Sequence, residues 1–313
     1  MRYEHPSFAA RRACDYLDLR RALGFKLANA GRLLGQFVDY LNEHGVSTPT
    51  TDHAFAWANL PASASGNWRA IRLSVVRGFA SYLHGLDATV EVPSSDLIRR
   101  GPDRAAPYLY SDAEIGRLMA AAGELRPRLR AATYQTLIGL LATCGLRVSE
   151  AIALDTFDLD RDEELLMIRE TKFAKSRLVP LHRTTIARLA AYLTLRDQTH
   201  AHPLCPALLV SGAGTRLHHS NFSLTFARLA QQVGITRRSA VCRPRLHDLR
   251  HSFAVATVLD WYRTGADVPA MMPSLATYLG HTDPKHTFWY LTAAPELMAL
   301  AGGRLDAYLG GRS

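Results

Sequence analysis

A chain of 313 residues, 48% of them hydrophobic and 21% charged, holds about two domains at roughly 100–200 residues each, and its composition excludes a disordered class. The 37 Lys and Arg residues exceed the 28 Asp and Glu residues, for a net charge of +9, which favours a polyanionic partner. That partner is either nucleic acid or an anionic membrane surface, and nucleic acid is the one expected, since the longest apolar stretch, residues 137–146, falls short of the ~20 residues needed to span a bilayer.

No apolar segment follows the start Met1-Arg2-Tyr3-Glu4-His5-Pro6, so a cytoplasmic location is expected. The first hundred residues read as helical. Leu33, Leu34, Phe37, Val38 and Leu41 share one helical face, and Ile71, Val75, Phe79 and Leu83, broadened by Val76 and Tyr82, share another. Arg69, Arg72 and Arg77 fall on or near the opposite side of that second helix. They read either as a solvated face or as a row of DNA phosphate contacts. Residues 92–110 turn basic and punctuated, with Pro93, Arg99, Arg100, Gly101, Pro102, Arg104 and Pro107. They mark a linker between a helical domain at 1–104 and a second domain at 105–313. Ser111-Asp112-Ala113-Glu114 has the form of a capping box opening a new helix. A longer helix covers roughly 129–144 and ends at Cys144-Gly145. Residues 164–169 and 177–181 read as two short strands joined by a polar hairpin. The rest returns to helical patterns, broken at 212–214 and 237–244, so the fold class expected is mainly α with a small β-element.

Four cysteines, Cys14, Cys144, Cys205 and Cys242, form no C-x-x-C pair, and the 13 histidines contain no H-E-x-x-H pattern. No metal, disulfide framework or other cofactor is expected. The chemistry lies in five short pieces of the second domain. They are Gly145-Leu146-Arg147-Val148-Ser149-Glu150; Thr171-Lys172 with Lys175 and Arg177; His247-Asp248-Leu249-Arg250-His251; Leu279-Gly280-His281; and Tyr290. Each alone has an ordinary explanation. Arg147 and Glu150 make a helix-surface pair, His281 a helix end, and Tyr290 a core aromatic.

In this order and spacing, the five pieces resemble the tyrosine recombinase (integrase) family across residues 105–313. The likeness extends more weakly to a helical core-binding domain before them. The resemblance implies a C-shaped clamp on double-stranded DNA. Strands would be cut and rejoined through a 3′-phosphotyrosine at Tyr290, by a homotetramer assembled on specific sites, with or without sister recombinases. It assigns Arg147, Lys172, His247, Arg250, His281 and Tyr290 to catalysis and Glu150 and His251 to their support. Glu150 would orient His247 or Arg147. Lys175 competes with Lys172 for the acid role, and Lys175 and Arg177 are further candidate DNA contacts. Tyr278, the rival nucleophile, falls where the pattern has a packing residue. Residues 265–281, with Pro269, Met271, Met272 and Pro273, run longer than the family's usual connection. The apolar tail after Tyr290, through Leu297, Leu300, Leu305 and Leu309, packs either on its own domain or on a neighbouring protomer.

Elementary chemistry supports those roles. Attack on a phosphodiester places charge on two non-bridging oxygens, and arginine offers them a planar, permanently charged fork. Ionising a tyrosine at pH 7 costs about 4 kcal/mol from its reference pKa, so Tyr290 needs nearby cations or His247 as a base. The departing 5′-oxygen needs a proton, for which Lys172 is the candidate donor and Lys175 its competitor. Neither a metal nor ATP enters, and no Walker-type loop occurs. Two neighbouring readings differ in outcome rather than residues: a type IB topoisomerase, and a non-catalytic DNA-binding accessory protein of the same fold. The run from Lys285 to Tyr290 favours a mobile-element member, such as a transposon or phage integrase.

Overall fold

The computed structural model describes residues 7–60, 62–99, 106–169, 176–200, 204–239, 242–281, 283, 287 and 288. Two compact units divide the chain, Met1–Arg104 and Ala105–Ser313.

In the first unit the described residues form α1 (Phe8–Ala22), α2 (Ala28–Glu43), α3 (Thr51–Asn59) and α4 (Gly66–Leu86). Ser7, Thr50 and Ser65 cap α1, α3 and α4 by accepting backbone N–H groups that the first turn leaves unpaired. The α2 face expected from the periodicity is the buried one: Leu33, Leu34, Phe37, Val38 and Leu41 all enter the core. Phe37 meets Trp57 of α3 edge-on, with ring centroids 5.2 Å apart.

α4 is turned from the expected orientation. Its core side carries Ala70, Leu73, Val76, Phe79, Ala80 and Leu83, whereas Ile71 is 45% exposed. Arg72 goes inward with that face and is only 7% exposed. Its guanidinium lies 3.6 Å from the Trp57 ring centre and donates to the Trp57 carbonyl at 2.6 Å. Arg72 is therefore corrected from a surface phosphate contact to a core residue. Its weakly hydrated, planar cation tolerates burial when stacked on an aromatic face and hydrogen-bonded. Arg69 donates to the Ala62 carbonyl, and Arg77 is half-buried.

The second unit is built around α6 (Arg128–Cys144), whose Leu129, Tyr134, Leu137, Ile138, Leu140 and Leu141 are all buried. Before it comes α5 (Asp112–Gly123), opened by the Ser111–Glu114 capping box. After it come the short α7 (Val148–Ala153) and a three-stranded antiparallel sheet whose strands lie side by side in chain order. β2 (Leu165–Ile168) and β3 (Arg177–Pro180) are the two expected strands, in the register Leu166 to Val179 and Ile168 to Arg177. β1 (Leu159–Asp160) was not anticipated, since two residues carry no alternation to read. Four further helices follow among the described residues: α8 (Arg183–Thr199), α9 (His219–Gln232), α10 (His247–Arg263) and α11 (Val268–Leu279). The long stretch before His281 is thus one helix, α11, with Pro269 in its first turn and Pro273 on its exposed side. α10 and α11 join through Ala254, Val255, Val258, Val268, Met272, Leu275 and Leu279. No described helix is long and apolar enough to cross a membrane.

Candidate active site

Two helix ends create the frame of the site. α6 stops at Gly145 and α11 at Gly280, both in the left-handed region at φ 58° and 67°, which glycine adopts at little cost. Space also demands glycine at 145, since a Cβ there would stand 2.4 Å from Phe253 Cδ1. The exposed carbonyls at these ends then take a cation. Arg250, in the first turn of α10 and 1% exposed, donates 2.6 Å bonds to the carbonyls of Gly145 and Leu279. One buried guanidinium thereby ties the starts and stops of three helices together.

Glu150 is the centre of a second set of contacts. Its side chain is 6% exposed and accepts from Arg147 Nη1 at 2.6 Å and from the Arg147 backbone N–H at 2.9 Å. Arg177, the first residue of β3, grips both carboxylate oxygens, at 3.1 and 2.9 Å. Arg250 Nη1 stands 3.9 Å from the same group. Burial pushes the Glu150 carboxyl up, but the hydrogen bonds and charges of Arg177 and Arg147 outweigh it and hold it at about 2. Arg147 spends its other arm on the Gly280 carbonyl, 2.9 Å away. Of the two partners open to Glu150, the geometry gives Arg147.

Arg177 is corrected from a DNA contact. Besides Glu150 it donates from Nε to the Tyr278 carbonyl at 2.8 Å, and its side chain is only 11% exposed. A bidentate pair with the buried carboxylate already occupies both arms of its guanidinium fork. Tyr278 itself packs on Phe253, ring centroids 5.7 Å apart, and burial raises its hydroxyl further from ionisation.

The three described histidines of the motifs converge on this arginine cluster. Arg250 Nη2 lies 3.1 Å from His281 Nε2. Arginine only donates, so Nε2 accepts and the neutral ring carries its proton on Nδ1. That proton faces Thr287 Oγ1 at 2.7 Å. His247 packs edge-on against His251, with centroids 4.6 Å apart. Burial and then the charges of Arg250, Arg147 and Arg245 lower His247 to about 4; burial and His247 lower His251 to about 3. Both rings are therefore neutral at pH 7, and His247 is able to accept a proton. Below them Arg245 clamps the fully buried Asp248 through two 3.0 Å bonds. A cleft of about 470 Å³ opens beside Arg147 and His247, walled by His219, Ser223 and Phe226 of α9.

Arg147, Glu150, His247, Arg250, His251 and His281 thus meet in one place, while Lys172, Lys175 and Tyr290 lie outside the described residues. Sequence reasoning missed the inward role of Arg177, the Arg245–Asp248 clamp and the Thr287 partner of His281. Only the first two left a signal: Arg177 stands at a strand start two residues before a buried Val179, and Arg245 is spaced i, i+3 from Asp248.

The arrangement suits an anion. Three guanidiniums surround one carboxylate, which leaves an excess positive charge beside a neutral base. Comparison with known proteins agrees. Residues 109–296 match the phage integrase family. The chain is 43% identical over 298 residues to y4rB of Sinorhizobium fredii, named as an integrase/recombinase, covering 93% of this chain and 95% of that one. It is 30% identical over 233 residues to the tyrosine recombinase XerD of Brucella abortus, covering 71% of this chain and 70% of that one. In fold it is similar to the Tn1549 transposon integrase in complex with transposon right end DNA. The TM-score is 0.64 at 14% identity, over 95% of this chain and 98% of that one. It is likewise similar to the XerH site-specific recombinase bound to its palindromic difH substrate, with a TM-score of 0.62 at 17% identity over 90% of this chain and 78% of that one. The chain belongs to the phage integrase family of tyrosine recombinases, DNA strand-cleaving and rejoining enzymes.

Proposed function

We propose that the chain recombines double-stranded DNA at specific sites on behalf of a mobile element, with Tyr290 as nucleophile. Its phenolic oxygen attacks the phosphorus, the bond to the 5′-oxygen breaks, and a 3′-phosphotyrosine and a 5′-hydroxyl result. The tyrosine proton passes to His247, and Lys172 protonates the departing oxygen. Arg147 and Arg250 hold the two non-bridging oxygens and stabilise the charge that grows on them. His281 adds a donor to the same phosphate once Nε2 carries a proton. A 5′-hydroxyl from the partner duplex then attacks the phosphotyrosine and regenerates Tyr290, so the ester itself conserves the bond.

One observation carries this reading: a preorganised cluster of Arg147, Arg177 and Arg250 around the single buried charge of Glu150, with neutral His247 alongside. The unit at 1–104 closes on DNA as a core-binding domain, the unit at 105–313 is catalytic, and four protomers assemble on two sites. Covalent capture tests it. Wild type and Tyr290→Phe are incubated with DNA flanking the gene, denatured, and the attached DNA sequenced. An adduct at defined positions, absent from Tyr290→Phe, is expected. Scattered adducts would instead make the enzyme a topoisomerase. Salt-sensitive binding without any adduct would make it an accessory protein.

A further inference from the structure

Arg177 stands apart from the other two arginines of the site. Arg147 and Arg250 each place an arm on a helix-end carbonyl, Gly280 for the first and Gly145 and Leu279 for the second. Arg177 also reaches the end of α11, with its Nε on the Tyr278 carbonyl, but it alone gives both arms of its fork to Glu150, one nitrogen to each carboxylate oxygen. It also fills the space beside Gly280, where a Cβ would stand 2.9 Å from Nη1. Its side chain is largely removed from solvent.

Charge bookkeeping gives this arrangement a consequence. The carboxylate of Glu150 is needed to seat Arg147, whose backbone and side chain both donate to it. Left alone it would also cancel one of the two positive charges meant for the phosphate. In a site this buried, with few mobile ions, such cancellation is weakly screened. Arg177 supplies the missing counter-charge. With it the cluster of three guanidiniums and one carboxylate presents a net +2; without it, +1.

We propose that Arg177 is a positioning residue that neutralises Glu150, so that Glu150 seats Arg147 without weakening the grip of Arg147 and Arg250 on the DNA phosphate. The inference rests on the phosphate-binding role proposed above for those two arginines. It makes Arg177 neither a DNA contact nor a participant at the reacting atoms.

The test is a double-mutant cycle. The probe is the end-labelled duplex to which the wild-type enzyme becomes covalently joined, and single-turnover cleavage and DNA affinity at several salt concentrations are both measured. Arg177→Met should lower the cleavage rate on the order of 10- to 100-fold, as expected for weakening one charged stabiliser of the transition state. Affinity should fall by no more than the cleavage rate does, and its salt dependence, which counts the phosphates contacted, should stay at the wild-type value. Glu150→Gln by itself loosens Arg147, so the double variant is read against it: with no carboxylate left to offset, adding Arg177→Met to Glu150→Gln should cost less than about threefold in rate. A double variant slower than Glu150→Gln by the full factor that Arg177→Met costs in the wild type would overturn the counter-charge role, because a residue that only packs acts independently of that carboxylate. A weaker affinity with a shallower salt dependence in Arg177→Met would make it a phosphate contact instead. If Arg177→Met does not fold, Arg177→Lys carries the test. It keeps the charge and should cleave within about tenfold of wild type, and a loss as large as that of Arg147→Gln would sink the idea. Arg147→Gln distinguishes the role of Arg177 from that of the phosphate-binding arginines. If it cleaves at the wild-type rate, or if wild type forms no adduct, the phosphate reading itself fails.

Discussion

Replacing Glu150 by glutamine should cost stability in a manner that depends on pH. In the folded protein the carboxyl is held at about 2 against an ordinary 4.5, and a difference of that size corresponds to about 3 kcal/mol. The group is nearly inaccessible to water, so solvent screening does little to reduce this. The folded value lies below the unfolded one. The stabilisation is therefore complete above about pH 4.5 and lost as the pH falls through about 2. Urea unfolding followed by far-UV circular dichroism, wild type against Glu150→Gln, should show a gap of about 3 kcal/mol at neutral pH that shrinks to roughly half near pH 3. A gap that stayed constant over that range would refute the electrostatic account. It would mean that glutamine disturbs packing or hydrogen bonding rather than removing a charge that Arg147 and Arg177 stabilise.

Other outcomes follow from the same geometry. Arg72→Ala removes a cation stacked on Trp57 and a bond to its carbonyl, so it should destabilise the protein by about 3 kcal/mol in urea titrations. It should leave the salt dependence of DNA binding unchanged. Since His247 is lowered to about 4, it remains a neutral base through the physiological range. The cleavage rate should therefore lose His247's contribution only below about pH 4. His247→Gln should reduce the rate by roughly 10²–10⁴ at neutral pH. A wild-type profile falling through the ordinary histidine range, and lost in His247→Gln, would show that the ring is not desolvated as described.

Much of the site was legible because it depends on local rules. A glycine after the last apolar position ends a helix, and this marked Gly145 and Gly280 before their carbonyls were seen to hold Arg250 and Arg147. Serine followed three residues later by glutamate caps a helix, and Ser111 and Glu114 do so. His247, Arg250 and His251 share a helix start, so their spacing alone brought them to one turn. The tyrosine recombinase resemblance was likewise carried by short motifs whose order survives without knowledge of the packing.

Arg72 and Arg177 show where that legibility stops. On α4 the apolar residues span more than half the helix circumference, so two stripes about one position apart fit the periodicity. Arg72, four, seven and eleven residues before Val76, Phe79 and Leu83, lies within both stripes; the packing decided that Ile71 is exposed and supplied the Trp57 ring and carbonyl that make a buried guanidinium tolerable. Arg177 looked like a surface cation of a hairpin because its partners, Glu150 and the Tyr278 carbonyl, lie 27 and 101 residues away along the chain. Local propensity and motif order are properties of neighbouring residues, and the sequence alone determined them. Whether a guanidinium meets water, a carboxylate or an aromatic face is set by which distant elements pack against it, and that was decided only by the tertiary structure.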